Sequence, residues 1–360
     1  MAATGERQRV RDEVIQLVHR IADVPQLARE VTRILRRAVP FDGTCLLTMD
    51  PATLLPTGDV VENALSPSAA LRLTEIELRE PDVNKFTYLA RERLPAAGLA
   101  EATGGELDRS TRHRELRRPS GFDDELRVVL SGATGTWGAL TLLREARRPR
   151  FTRAETGLMA SVAGPLADGV RRATLLGGAA DDDAGTGLLV LAPDHSLATA
   201  NQAGLRWLDE LGAETGGQLP VALRGVAVRA REIAQGERTD GTGAWARIRT
   251  RTGRWAIVQG SLLGDGPDAQ VAVLLETARP AELAPLIADA YGLTDRERRV
   301  TELVAQGYLT NVIGSRLHLS AYTVQDHLKS IFDKTGTGTR GELVARLFFD
   351  HYARLVHRKD

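Results

Sequence analysis

Gln325, Asp326 and Lys329 follow Tyr322 by three, four and seven positions, so a helix through them carries all four on one side. Their end groups suit base-pair edges: a glutamine amide can pair with adenine, a lysine ammonium with guanine, and a carboxylate can accept from cytosine. Asp326 serves equally well as a solvated helix residue, because an acid beside a polyphosphate meets repulsion. Ser320 and Thr323 stand at the start of the same stretch, where hydroxyls and backbone N–H groups commonly meet phosphate oxygens. Thr310, Lys334 and Arg340 flank it as further phosphate-contacting candidates.

Local signals place these side chains on helices. Thr294-Asp295-Arg296-Glu297 has the form of a capping box, which starts a first helix with Val300, Leu303 and Val304 on one stripe. Gly307 supplies a left-handed stop. Thr310 caps a shorter second helix in which Ile313 and Leu317 face inward, His318-Leu319-Ser320 is the turn, and Ser320 is the N-cap of the third helix, ended by Gly336. Taking about 100° per residue from Val324, the residues Leu328, Ile331 and Phe332 share its face, Tyr322, Asp326 and Lys329 lie opposite, and His327 sits near the buried edge. A fourth helix, Arg340 to about Tyr352, has Leu343, Val344, Leu347 and Phe348 on one side.

The stretch from Leu293 to Leu347, with its LTDRE opening, its S-x-x-TV-x-x-HL-x-x-IF-x-K core and its R-x-ELVA ending, resembles the LuxR-type (NarL/FixJ-type) helix-turn-helix domain. That resemblance implies an all-α four-helix DNA-binding domain whose third helix enters the major groove, with base-reading positions at Gln325, Asp326 and Lys329. It implies a double-stranded DNA operator with inverted half-sites, a homodimer held partly by the fourth helix, and admits RNA polymerase as a partner. Two positions depart from the pattern: Val312 stands where an acidic residue is usual, and Gly314 where alanine is usual, at a cost of roughly 1 kcal/mol in a helix interior.

The preceding residues alternate strand-like and helix-like patterns. A helical stretch in the first 38 residues breaks at Val24-Pro25. It is followed by a strand at Thr44 to Met49, helices at Ser66 to Leu78 and Asn84 to Leu94, a hairpin of Glu125 to Ser131 with Gly135 to Leu143, and a long helix from Thr152 to Leu176. Residues 1–176 form an α+β unit similar to a GAF domain. Residues 177–186 read as a linker, since glycine and adjacent like charges bury little surface. Residues 187–280 form a second α+β unit similar to a PAS domain, with strands at Gly187 to Ala192, Ser196 to Ala200, Ala244 to Thr250, Arg254 to Leu262 and Gln270 to Glu276, and helices at Asn201 to Leu211 and about Val221 to Ile233. The third unit is 281–360. The fold class is therefore multidomain, and the two resemblances imply a sensory half controlling the helical half.

Bulk properties bound the function. The 360 residues carry 47 basic and 47 acidic side chains, and from Tyr291 onward 11 against 8, so charge alone gives almost no nucleic-acid signature. No stretch reaches the 18 or so apolar residues of a spanning helix, the N-terminus lacks an apolar signal core, and the single Cys45 excludes an internal disulfide, so the chain is read as cytoplasmic without membrane contact. Cys45 reads as a buried structural thiol, and Trp207, Trp245 and Trp255 as core. Seven scattered histidines lack paired metal spacing, Asp181-Asp182-Asp183 fails a calcium-loop pattern, and Gly132, Gly135 and Gly138 are turn glycines. No catalytic residue, metal or cofactor is expected, apart from an unidentified small-molecule ligand. The rival readings are a signalling enzyme, which would need a nucleotide or metal motif, and a protein-interaction scaffold.

Overall fold

The computed structural model describes residues 2–21, 23–63, 67–176, 185–213, 219–236, 241–266, 268–279, 282–283, 286 and 291–348. Most of the expected linker, the expected boundary at Pro280 and the helix beyond Phe348 lie outside the described residues. The chain forms two compact units, one as far as Thr277 and one from Ala278.

In the first unit, α1 (Ala2–Val18) and α2 (Val24–Leu35) replace the expected broken helix. Asp23 caps α2 by accepting from the backbone N–H of Gln26 at 2.9 Å, and Pro25 sits in the first turn, where its missing N–H costs nothing. Strands β1 (Gly43–Met49), β2 (Pro56–Glu62), β3 (Ala96–Gly98), β4 (Phe122–Gly132) and β5 (Gly135–Glu145) form an antiparallel sheet in the order β2-β1-β5-β4-β3. Helices α3 (Pro67–Leu78), α4 (Phe86–Arg91) and α5 (Leu99–Ala102), with a π-helical turn at His113–Arg117, precede the β4–β5 hairpin, and α6 (Arg153–Leu176) follows it. The helix α4 is shorter than the expected 84–94 stretch.

Both faces of this sheet are covered. Even-numbered residues of β4 and β5 face α6, as the approach of Val170 to Gly138 shows, while Leu47, Met49, Val129 and Ala139 pack with Phe86 and Leu89 of α4. Strands β4 and β5 are therefore buried at nearly every position instead of alternating. The second face also holds charge. Arg112, Arg117 and Arg127 converge on Glu125, with Arg112 further bonded to Asp82 at 2.7 Å and Arg127 to Glu77 at 2.8 Å.

A second antiparallel sheet, β6 (Gly187–Leu191), β7 (Leu197–Ala200), β8 (Trp245–Arg249), β9 (Trp255–Leu263) and β10 (Gln270–Thr277), repeats the same relative order as β7-β6-β10-β9-β8. Helices α7 (Gln202–Glu210) and α8 (Val221–Ala234) pack on it. Asn201 caps α7, and Trp207 is fully buried in this core. Every residue of α8 from Val221 to Glu232 is buried, four charged ones included, because the helix packs on β8, β9 and β10 and also on β2 and α3 of the first sheet. Leu55 and Leu78 accordingly join the second core. Beside them the backbone N–H and guanidinium of Arg247 donate to the buried carboxylate of Asp50 at 2.7–2.9 Å, which ties β8 to the end of β1.

Among its described residues the second unit includes helices α9 (Asp295–Ala305), α10 (Thr310–Leu317), α11 (Ala321–Thr335) and α12 (Arg340–Phe348), around Val300, Val304, Ile313, Val324, Leu328, Ile331 and Leu343. The chain is thus multidomain, two α+β sheet layers and an all-α helical unit. Among the described residues no helix is long and apolar enough to cross a membrane.

Candidate nucleic-acid interface

The helix α11 begins where the sequence places it. The Ser320 hydroxyl accepts from the backbone N–H of Thr323 at 3.0 Å and lies 2.8 Å from the Thr323 hydroxyl, and Gly336 closes the other end at φ 64°. Val324, Leu328, Ile331 and Thr335 are buried, and Phe332 half-buried. The opposite face carries Tyr322, 73% exposed, with Gln325, Asp326 and Lys329 also exposed. Among the described residues none of these four side chains has an intrachain polar partner, so their hydrogen-bonding groups all face solvent. His327 is half-buried on the flank.

The phosphate candidates differ from one another. Ser320 is exposed at the N-terminus of α11, where the helix dipole and free amides favour an anion. Thr310 does not cap α10: Leu309 occupies the cap position without a side-chain bond, and the Thr310 hydroxyl accepts from the Arg340 guanidinium at 2.7 Å. Arg340 also donates to the Tyr308 carbonyl at 2.9 Å, joining α12 to the start of α10. Lys334 lies 2.6 Å from Glu297 and keeps a third of its side chain exposed.

Glu297 is the residue whose reach the sequence understated. Its capping box with Thr294 is present, the Thr294 N–H donating to Oε2 at 2.7 Å. The same carboxylate accepts from Lys334, and its Oε1 from the Ser330 hydroxyl at 2.7 Å, so one side chain links the start of α9 to the last half of α11. Burial pushes this carboxyl up, but the bonds from Lys334, Ser330 and Thr294 outweigh it and hold it at about 2. Lys334 and Ser330 are four apart on one helix side, the pattern that could have marked a shared partner.

The turn before α11 explains one departure. A Cβ on Gly314 would stand 2.7 Å from the Leu319 carbonyl oxygen, and the Leu319 N–H in turn donates to the Gly314 carbonyl at 2.8 Å. The glycine thus permits a close crossing of α10 and the turn, and its propensity cost is offset there. His318 makes the turn in the left-handed region, at φ 53°.

Residues 292–347 match the model of the family described as bacterial regulatory proteins, luxR family. The transcriptional regulatory protein DesR of Bacillus subtilis is 32% identical over 96 residues, 25% of this chain and 48% of the relative. The monoamine regulon transcriptional regulator of Klebsiella aerogenes is 37% identical over 65 residues, 18% and 29%. The chain therefore spans about half or less of these two relatives. The spore germination protein GerE of Bacillus subtilis is 40% identical over 55 residues, 15% of this chain and 74% of the relative. Among solved structures, a GAF domain of a phosphoenolpyruvate-protein phosphotransferase from Coxiella burnetii overlays 48% of this chain and 96% of its own, at 16% identity and TM-score 0.33. With the helix-turn-helix geometry, the family model over residues 292–347 and 74% of GerE covered at 40% identity, this chain belongs to the luxR family of bacterial regulatory proteins.

Proposed function

We propose that the chain is a one-component, sequence-specific DNA-binding transcription regulator, acting as a cytoplasmic homodimer on a pseudo-palindromic operator. The observation that carries this reading is the outward face of α11, four partnerless polar side chains on a rigidly capped helix of a luxR-family unit. Tyr322, Gln325, Asp326 and Lys329 would read base edges, and Thr310, Ser320, Thr323, Lys334 and Arg340 would meet phosphates. For Lys334 and Arg340 such a contact shares a group already bonded inside the protein.

The domains are read as a GAF-like sensor at 1–176, a linker at 177–186, a PAS-like domain at 187–280 and the DNA-binding unit at 281–360. The GAF-like and PAS-like domains are sensory, RNA polymerase is a further partner, and the protein catalyses no reaction. Selection of operator fragments from random DNA by the full chain, followed by binding titrations in rising salt, tests this. A defined motif is expected, with affinity falling steeply with salt. Lys329→Ala is expected to weaken specific binding by about 1–3 kcal/mol and relax preference at one position. Selection that converges on no motif would overturn the reading.

A further inference from the structure

Between Glu302 and Asp326 the chain contains no acidic residue, and this stretch holds the whole of α10 and its turn into α11. Arg316, in the last turn of α10, is its one arginine or lysine. Several other cations of the helical unit are committed inside it. Arg296 donates to the Leu317 carbonyl at 2.7 Å, Arg298 faces Asp295 at 3.5 Å, Lys334 meets Glu297, and Arg340 spans Tyr308 and Thr310. Arg316 is exposed, and among the described residues its guanidinium makes no hydrogen bond or ion pair.

Unlike Arg299 of α9, which is equally exposed and unbonded, Arg316 is held in place. Its guanidinium stacks on the Tyr308 ring, 4.0 Å from the centroid. Side chains of a helix lean toward its N-terminus, so a residue in the last turn of α10 returns its head group to Tyr308, just ahead of the first turn. Arg340 approaches the same residue from the backbone side, donating to the Tyr308 carbonyl at 2.9 Å and to the Thr310 hydroxyl at 2.7 Å. Two guanidinium groups thus meet at Tyr308, one on its ring and one on its carbonyl. Stacking occupies a face of the Arg316 guanidinium and leaves the N–H groups of its edge, the fork that matches a phosphate. Val312 keeps that fork open. It lies four positions before Arg316, the spacing and order at which a glutamate pairs with an arginine and neutralises it. Where the luxR-type pattern usually has an acid, this chain has a valine, 40% exposed.

We propose that Arg316 contacts a phosphate of the operator backbone, with Tyr308 as its positioning residue and Val312 as the departure that leaves it unpaired. The contact rests on the DNA-binding reading above. It adds to that reading a group that strengthens binding to any duplex and carries no sequence preference.

The test is binding of the full chain to the selected operator and to a scrambled duplex of equal length, titrated in rising salt. Each phosphate contact contributes about 0.9 to the salt slope. Arg316→Ala, which breaks no hydrogen bond of the fold, is expected to lower the slope by about one per bound protomer. It should weaken both duplexes by the same factor, about tenfold per protomer in about 0.1 M salt. Arg299→Ala should keep the slope. Val312→Glu is expected to reproduce the Arg316→Ala loss and to add little to it when the two are combined. Tyr308→Phe keeps the ring and should bind as the unmutated chain does, while Tyr308→Ala should lose affinity only when Arg316 is present. A slope unchanged by Arg316→Ala, a loss confined to the operator, an equal loss from Arg299→Ala, or full additivity of Val312→Glu with Arg316→Ala overturns the contact and leaves the regulator standing. Absence of salt-dependent binding by the unmutated chain overturns the regulator reading and the contact with it.

Discussion

At the scale of single residues, Glu297 decides more than the four groups on the reading face, because they can act only if α11 keeps its orientation on α9. Its carboxylate binds both helices, and these bonds lower its pKa from 4.5 to about 2 on folding. A group depressed in the folded state stabilises above its unfolded value and loses that contribution as pH falls through the folded value. The window is thus pH 4.5 down to 2, and the shift corresponds to about 3 kcal/mol at neutral pH. Glu297→Gln should lower the unfolding free energy by roughly 2–3 kcal/mol at pH 7 and by much less near pH 2, read by urea titrations followed by circular dichroism. An equal loss at both pH values would show that the charge is not what matters. The capping box was legible because its partners lie three residues apart. Lys334 and Ser330 were not, since more than thirty positions separate them from Glu297 and only the packed bundle brings them together.

Among the elements, local rules succeeded where an element answers to itself. Caps and the 3.6-residue period located α9 to α11, and Gly336 ends α11 as expected. They failed at Thr310, because Leu309 takes the cap and Arg340 recruits the threonine, a partner thirty residues away. The strand β2 escaped notice because Pro56–Glu62 is an edge strand with mostly part-buried or exposed positions and no alternation. The helix α8 was found, but its burial on all sides was not legible, since its coverings come from both sheets. The turn between α10 and α11 holds a non-glycine residue, His318, at φ 53°. Left-handed backbone costs an L-residue about 1–2 kcal/mol, partly offset by glycine's larger unfolded entropy. His318→Gly should therefore raise stability by about 0.5–1 kcal/mol in thermal unfolding, with operator affinity unchanged. A fall in stability would mean that the exposed imidazole makes a contribution the backbone argument omits.

For the whole molecule, two compact units mean two separate sets of cooperative contacts, and each should show its own unfolding transition. The first unit contains two sheets of identical strand order, yet it need not split further. The buried Asp50–Arg247 pair and the shared helix α8 cross from one sheet to the other, and Leu55 lies in the second core. Replacing Asp50 by Asn removes a counter-charge held 2.7 Å from the Arg247 guanidinium while leaving that guanidinium buried, a change that typically costs about 3–5 kcal/mol. Calorimetry of the full chain should then show the transition of the larger unit displaced downward as one cooperative event. The transition of the helical unit should stay in place. Glu297→Gln should do the opposite, moving only the smaller transition. If Asp50→Asn instead splits the larger transition in two, the sheets are separable folding units and the ion pair is what joins them. If it moves the helical unit equally, the two units do not unfold separately, and the division of the chain at Thr277 has no thermodynamic counterpart.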